Sequence, residues 1–175
     1  MHSENLSTAS NSPPIPILSI DMGLTGGADF LSFILGMELY GVPLSHVEEI
    51  RVWEKPTPIP RSPDFVKGVI NLRGMIVPII DLRERFGLEE CHYLPTTVVL
   101  ILSSSEQEQK RLMGLVVDSV SDVIGQGESQ LHPAVGESVV VPFISGILNV
   151  GDDVMSLLDG DALLNMDRIL SEGQA

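Results

Sequence analysis

Two short patterns occur twice in this chain in the same order, and that doubling constrains the fold more than any other feature. Gly68-x-x-Asn71 is followed ten residues after Asn71 by Asp81, behind Ile79-Ile80. Gly146-x-x-Asn149 is followed ten residues after Asn149 by Asp159, behind Leu157-Leu158, an offset of 78. Upstream, Gly41-Val42-x-Leu44-x-x-Val47-x-Glu49-Ile50 matches Gly114-Leu115-x-Val117-x-x-Val120-x-Asp122-Val123 at an offset of 73. Further back, Phe30–Leu35 resembles Thr97–Leu102 at an offset of 67. Ordered matches of glycine, acid and apolar positions indicate a duplicated all-β unit. Each unit, about 65 residues, is too small to be stable alone, so the two are expected to pack together and share apolar surface.

The first copy centres on a hairpin. Val69–Leu72 and Met75–Ile80 are apolar runs separated by Arg73-Gly74, a tight turn in which Gly74 supplies positive φ. Pro78 lacks an N–H, which predicts an edge strand or a bulge there. Asp81 is placed to cap a short helical turn over Leu82–Phe86 that Gly87 stops. Gly68, Gly74 and Gly146 are expected to serve backbone geometry, at turns or close approaches.

Ser45-x-x-Glu48 has the form of a capping box, predicting one helical turn after Ser45 with Glu48 used at the cap and Glu49 left to pair elsewhere. Lys55–Pro63 holds four prolines and reads as an extended connection. Val139–Phe143 is a strand candidate interrupted by Pro142, and Asp161–Leu170 has helical apolar spacing. Residues 1–28 are rich in Ser, Asn, Thr, Pro and Gly and read as a flexible tail, with Ile15–Ile20 an apolar island inside it.

A net charge of −14 disfavours nucleic acid and anionic membrane as partners. One cysteine and four scattered histidines give no disulfide framework and no metal site. No apolar run approaches the ~20 residues of a membrane helix, and no secretion signal is evident, so a cytoplasmic protein without direct membrane insertion is expected. Asp81, Asp118 and Asp159 lack the base, metal ligands or nucleophile that an enzyme reading needs, so no catalytic residue and no cofactor are assigned.

Phe30-Leu-x-Phe-x-Leu-Gly, Val47-x-Glu49-Ile50, Phe65-Val-Lys-Gly68-Val-x-Asn71-Leu-Arg73-Gly74-x-Ile-Val-Pro78-Ile-Ile-Asp81-Leu-Arg83 and Gly114-Leu-Val-Val-Asp118-x-Val120-Ser-Asp122-Val123 resemble the CheW family of bacterial chemosensory adaptors. The resemblance spans roughly residues 29–170. It implies two packed five-stranded SH3-like barrels about a pseudo-twofold axis, with short helical turns and a C-terminal helix. The corresponding division is a tail over 1–28 and a CheW-like domain over 29–171, with a first barrel near 29–95, a second near 96–160 and a helix near 161–170. It also implies a non-catalytic role, joining the regulatory domain of a CheA-type histidine kinase to the cytoplasmic tip of methyl-accepting chemoreceptors. Glu49 and Arg73 match the family's charged pair beside the receptor groove. Two readings stand for Val47, Val120 and Val123, core packing or the lining of that groove. Gly160 stands where the family tends to carry an aliphatic residue. The alternative function is a small-molecule-binding or other interaction barrel of a different signalling system.

Overall fold

The computed structural model describes residues 28–88, 91–104, 110–127, 130–134, 136 and 138–165. Ten strands account for most of them: β1 (Asp29–Leu35), β2 (Glu38–Pro43), β3 (Val47–Val52), β4 (Val66–Leu72), β5 (Met75–Asp81), β6 (Val98–Ser103), β7 (Leu112–Val117), β8 (Ser119–Gly125), β9 (Ile144–Val150) and β10 (Asp153–Leu158). Two short helices, α1 (Leu82–Arg85) and α2 (Gly160–Leu164), follow β5 and β10. The remainder of the C-terminal helix expected to residue 170, and the N-terminal tail up to residue 27, lie outside the described residues.

The strands form two five-stranded sheets, ordered β8-β1-β2-β10-β9 and β3-β6-β7-β5-β4. This is the all-β, two-barrel architecture expected, but the sheets do not follow a division at residues 95/96. Each takes two consecutive strands from one half of the chain and three from the other. The reason is in the pairing: β3 lies antiparallel on β6, and β8 lies antiparallel on β1, a reciprocal exchange.

The registers show how closely the halves repeat. Val66↔Ile80 and Gly68↔Ile79 in the first hairpin correspond to Ile144↔Leu158 and Gly146↔Leu157 in the second, each with a register shift at the same place. The offset of 78 therefore holds in space. The offset of 67 does not. Phe33 faces Val120 and Leu102 faces Val47, so the equivalent of Phe33 is Leu102, 69 residues on. Strand pairing resolved a two-residue ambiguity that matching apolar letters left unresolved.

Each sheet curls until its edges meet. Thr57, in the proline-rich connection after β3, bridges Val69 of β4, and His132, after β8, bridges Ile147 of β9. At the first seam Gly68 has φ +143, and a Cβ there would sit 2.1 Å from the Thr57 carbonyl oxygen. Only glycine lets these two backbones approach. Gly146, its counterpart, lies beneath the Leu131 side chain. Gly74 has φ +87 and Arg73 φ 52, so both turn residues are left-handed, as a two-residue hairpin requires.

Apolar side chains segregate by strand alternation. Leu31, Phe33, Leu100, Leu102 and Leu115 join one cluster drawn from both sheets, with Leu163 and Leu164 of α2. Val99, Ile101, Ile79 and Val77 fill the interior of one barrel, and Phe30, Leu148, Met155 and Leu157 fill the other. The shared cluster is the surface that each small unit lacks by itself.

Three local expectations differ. No capping box forms: Leu44–His46 is a 3-10 turn without a side-chain cap, and Glu48 sits in β3 with its carboxylate on Lys110. That contact, against the cost of partial burial, holds the Glu48 carboxyl below the usual carboxylate range. Val139–Phe143 is not a strand, because Pro142 turns it into a 3-10 segment over Val141–Phe143. Pro78 lies in a strand with neighbours on both sides, but one residue before its ladder with β7 begins at Ile79.

Candidate functional site

A shift in register between Val47 and Glu49 makes Glu48 the extra residue of a bulge in β3. Val47 and Ile50 then both join the shared core, while Glu49 and Arg51 take the other face. The β4–β5 hairpin curls across the barrel and brings its tip to that face. Arg73 Nη1 stands 3.2 Å from Glu49 Oε1, and Arg51 Nη1 3.6 Å from Glu49 Oε2. The pair is unequal: the Arg73 side chain is 64% exposed and that of Glu49 is 5% exposed. Neither carboxylate oxygen of Glu49 accepts a hydrogen bond from the described residues. Glu49 and Arg73 meet as a charged pair, through one contact, with the carboxylate buried and the guanidinium exposed. The barrel's curl explains the burial, since no local pattern shows what will cover an edge strand.

Val120 and Val123 lie together elsewhere, on β8. With Leu31 of β1 they form one wall of an apolar cleft of about 450 Å³, and Ile50 of β3 and Val98 of β6 form the other. The cleft therefore runs between the two sheets, with Asp122 as its one charged lining residue. Val47 is buried in the core and is not among the residues lining that cleft. The pseudo-equivalents of Glu49 and Arg73, at the 73- and 78-residue offsets, are Asp122 and Gly151, so the ion pair exists on one barrel only.

The family model of the CheW-like domain matches residues 29–168. The chain belongs to the CheW-like family. The Chemotaxis protein CheW of Klebsiella aerogenes is 40% identical over 149 residues, covering 84% of this chain and 87% of that one. The Chemotaxis protein CheW of Bacillus subtilis is 31% identical over 144 residues, covering 81% and 89%. Among solved structures, the scaffolding protein TtCheW from Thermoanaerobacter tengcongensis superposes with a TM-score of 0.69 at 29% identity, covering 79% of this chain and 88% of that one.

Sequence reasoning about this CheW-like chain missed a buried polar group that ties several segments together. Arg83, in α1, is 1% exposed. Its Nη1 donates to Asp118 Oδ1 at 2.7 Å and to the His92 carbonyl at 2.7 Å. Its Nε and Nη2 donate to the two oxygens of Asp81. The second oxygen of Asp118 accepts from the Gly36 N–H in the β1–β2 turn, and Tyr93 donates to Asp81 at 2.8 Å. Tyr93 lies over the Arg83 guanidinium and stacks on Trp53, ring centroids 4.3 Å apart. Burial works against the Arg83 charge, but the two carboxylates outweigh it and hold the guanidinium above its ordinary pKa. Asp81 reads in sequence as a helix cap, and Asp118 as an acid with no assigned partner. The signal that they share a partner was available only as the nearby arginine of Asp81-Leu82-Arg83.

Among the described residues no cluster of His, Cys, Asp and Glu is arranged to hold a metal ion. No helix among them is long and apolar enough to cross a membrane.

Proposed function

We propose that this chain is a non-catalytic coupling adaptor of a bacterial chemosensory system, joining the cytoplasmic tip of a chemoreceptor to the regulatory domain of a CheA-type histidine kinase. Membership of the CheW-like family supports the adaptor role, and the relatives named chemotaxis and scaffolding proteins agree with it. The observation that carries the receptor half is the cleft between the sheets. Val120, Val123, Ile50, Val98 and Leu31 present an apolar channel of a kind that takes the apolar face of a helix. Arg73, exposed and held at Glu49, offers a cation at the tip of the adjoining barrel for an acidic or carbonyl group.

The test is reconstitution. In a mixture of purified kinase and receptor-tip fragments, kinase activation should depend on this chain. Activation that is unchanged when the chain is left out refutes the adaptor reading.

A further inference from the structure

We infer that the cleft between the sheets has a competitor built into the chain: the segment Ile15-Pro16-Ile17-Leu18-Ser19-Ile20 docks against Val120 and Val123, and leaves when a receptor helix enters. The inference rests on the receptor-groove reading above and adds a regulator to it.

Position supports it first. Leu31 lines the cleft, and the described chain begins at Ala28, three residues before it. The N-terminal segment is therefore continuous with β1, the strand that carries Leu31 into the cleft wall. Ile20 precedes Leu31 by eleven residues, a span of up to roughly 36 Å when extended, against a domain radius of gyration of about 14 Å.

Chemistry agrees. Residues 5–20 carry no charge in a chain of net charge −14, and five of the six residues of 15–20 are apolar. The cleft they would meet is apolar, with Asp122 its one charged lining residue. An uncharged segment meets no repulsion there. Pro13, Pro14 and Pro16 favour an extended backbone, which lowers the entropy lost on docking.

Tethering makes a weak contact sufficient. A short linker gives an effective concentration of about 1 mM. With a local Kd of about 0.1 mM the cleft stands open for roughly a tenth of the time, weakening receptor binding about tenfold.

The experiment uses the full chain. A spin label is placed at Ser12→Cys in a Cys91→Ser background whose melting matches the parent, and the methyl signals of Val98, Val120 and Val123 are read without receptor. The expected result is broadening that persists on dilution and is released by Ile17→Asp with Leu18→Asp. The same double substitution should tighten binding of a receptor-tip fragment about tenfold. Absence of broadening overturns the inference. Broadening that fades on dilution assigns the cleft to a second copy and also overturns it, as does receptor affinity unchanged by the double substitution. Persistent broadening in a chain that binds no receptor fragment, with or without the substitutions, refutes the receptor-groove reading instead and leaves the docked segment standing.

Discussion

Arg83 forks onto Asp81 inside the protein, Nε to Oδ1 at 3.0 Å and Nη2 to Oδ2 at 2.9 Å, with both residues essentially inaccessible to solvent. Through its third nitrogen the same guanidinium holds Asp118, which in turn fixes the Gly36 amide. One side chain thus ties the end of β5 to the β7–β8 junction and, through it, to the β1–β2 turn of the other sheet.

Removing that side chain leaves two carboxylates without their cation. Arg83→Ala should cost about 3–5 kcal/mol, the range for breaking a buried pair. Arg83→Lys should also be costly, because an ammonium cannot fork onto Asp81 and reach Asp118 together. Urea denaturation measures both, and a loss below about 1 kcal/mol for Arg83→Ala would show that the network is dispensable.

Tyr93 gives the fold an alkaline limit. Burial first, and then its hydrogen bond to Asp81, push the hydroxyl above its ordinary range. The unfolded chain loses this proton near pH 10 while the folded chain keeps it. The contribution is therefore complete below pH 10 and is lost as pH rises beyond it. Tyr93→Phe should lower stability at neutral pH by about 1 kcal/mol and flatten the alkaline decline. Tyr40, raised by burial and then by Glu38, retains part of that decline. Identical alkaline slopes for parent and variant would contradict the assignment.

For Glu49 and Arg73 the burial difference sets the expectation. An exposed pair contributes no more than about 1 kcal/mol, and a fully buried one costs about 3–5 when broken. Arg73→Ala should fall between, near 2 kcal/mol, because Arg51 remains beside the carboxylate. The double replacement with Glu49→Ala should show a coupling of at least about 0.5 kcal/mol. Receptor-fragment affinity measured on the same proteins separates the roles: a loss of stability with unchanged affinity makes the pair structural.

Gly160 permits a contact that an aliphatic residue there would exclude. The His46 ring lies over it, with three ring atoms within 2.8 Å of where a Cβ would stand. The ring is held there by a contact of 3.0 Å between Nδ1 and the Ser103 carbonyl. Gly160→Ala should cost about 1 kcal/mol through this overlap, despite the helix propensity gained. In a His46→Ala background the same change should be neutral or stabilising by up to about 1 kcal/mol. A thermal melt of the four proteins decides it, and equal effects in both backgrounds would rule out the ring as the cause.

The sequence by itself determined the features that need only neighbours along the chain. The Arg73-Gly74 turn, the Asp81 cap on α1 and the Asp159 cap on α2 depend on a few consecutive residues with special φ or a side-chain acceptor. The doubling of the β4–β5 hairpin in β9–β10 was legible because glycine, asparagine and aspartate recur at fixed spacing. Tertiary structure decided which half pairs with which. β3 pairs with β6 and β8 with β1 across some fifty to ninety residues, and an alternating apolar strand suits several partners equally until packing chooses one. It also decided that Glu49 is buried, since the hairpin tip covering it comes from the opposite edge of a curled sheet. Arg83 is the clearest instance. Its neighbours Asp81 and Leu82 are adjacent in sequence, but Asp118 and the His92 carbonyl reach it only once the sheets have folded together. A charge is tolerated at such depth only when partners converge from distant segments, and that convergence is a property of the packed fold.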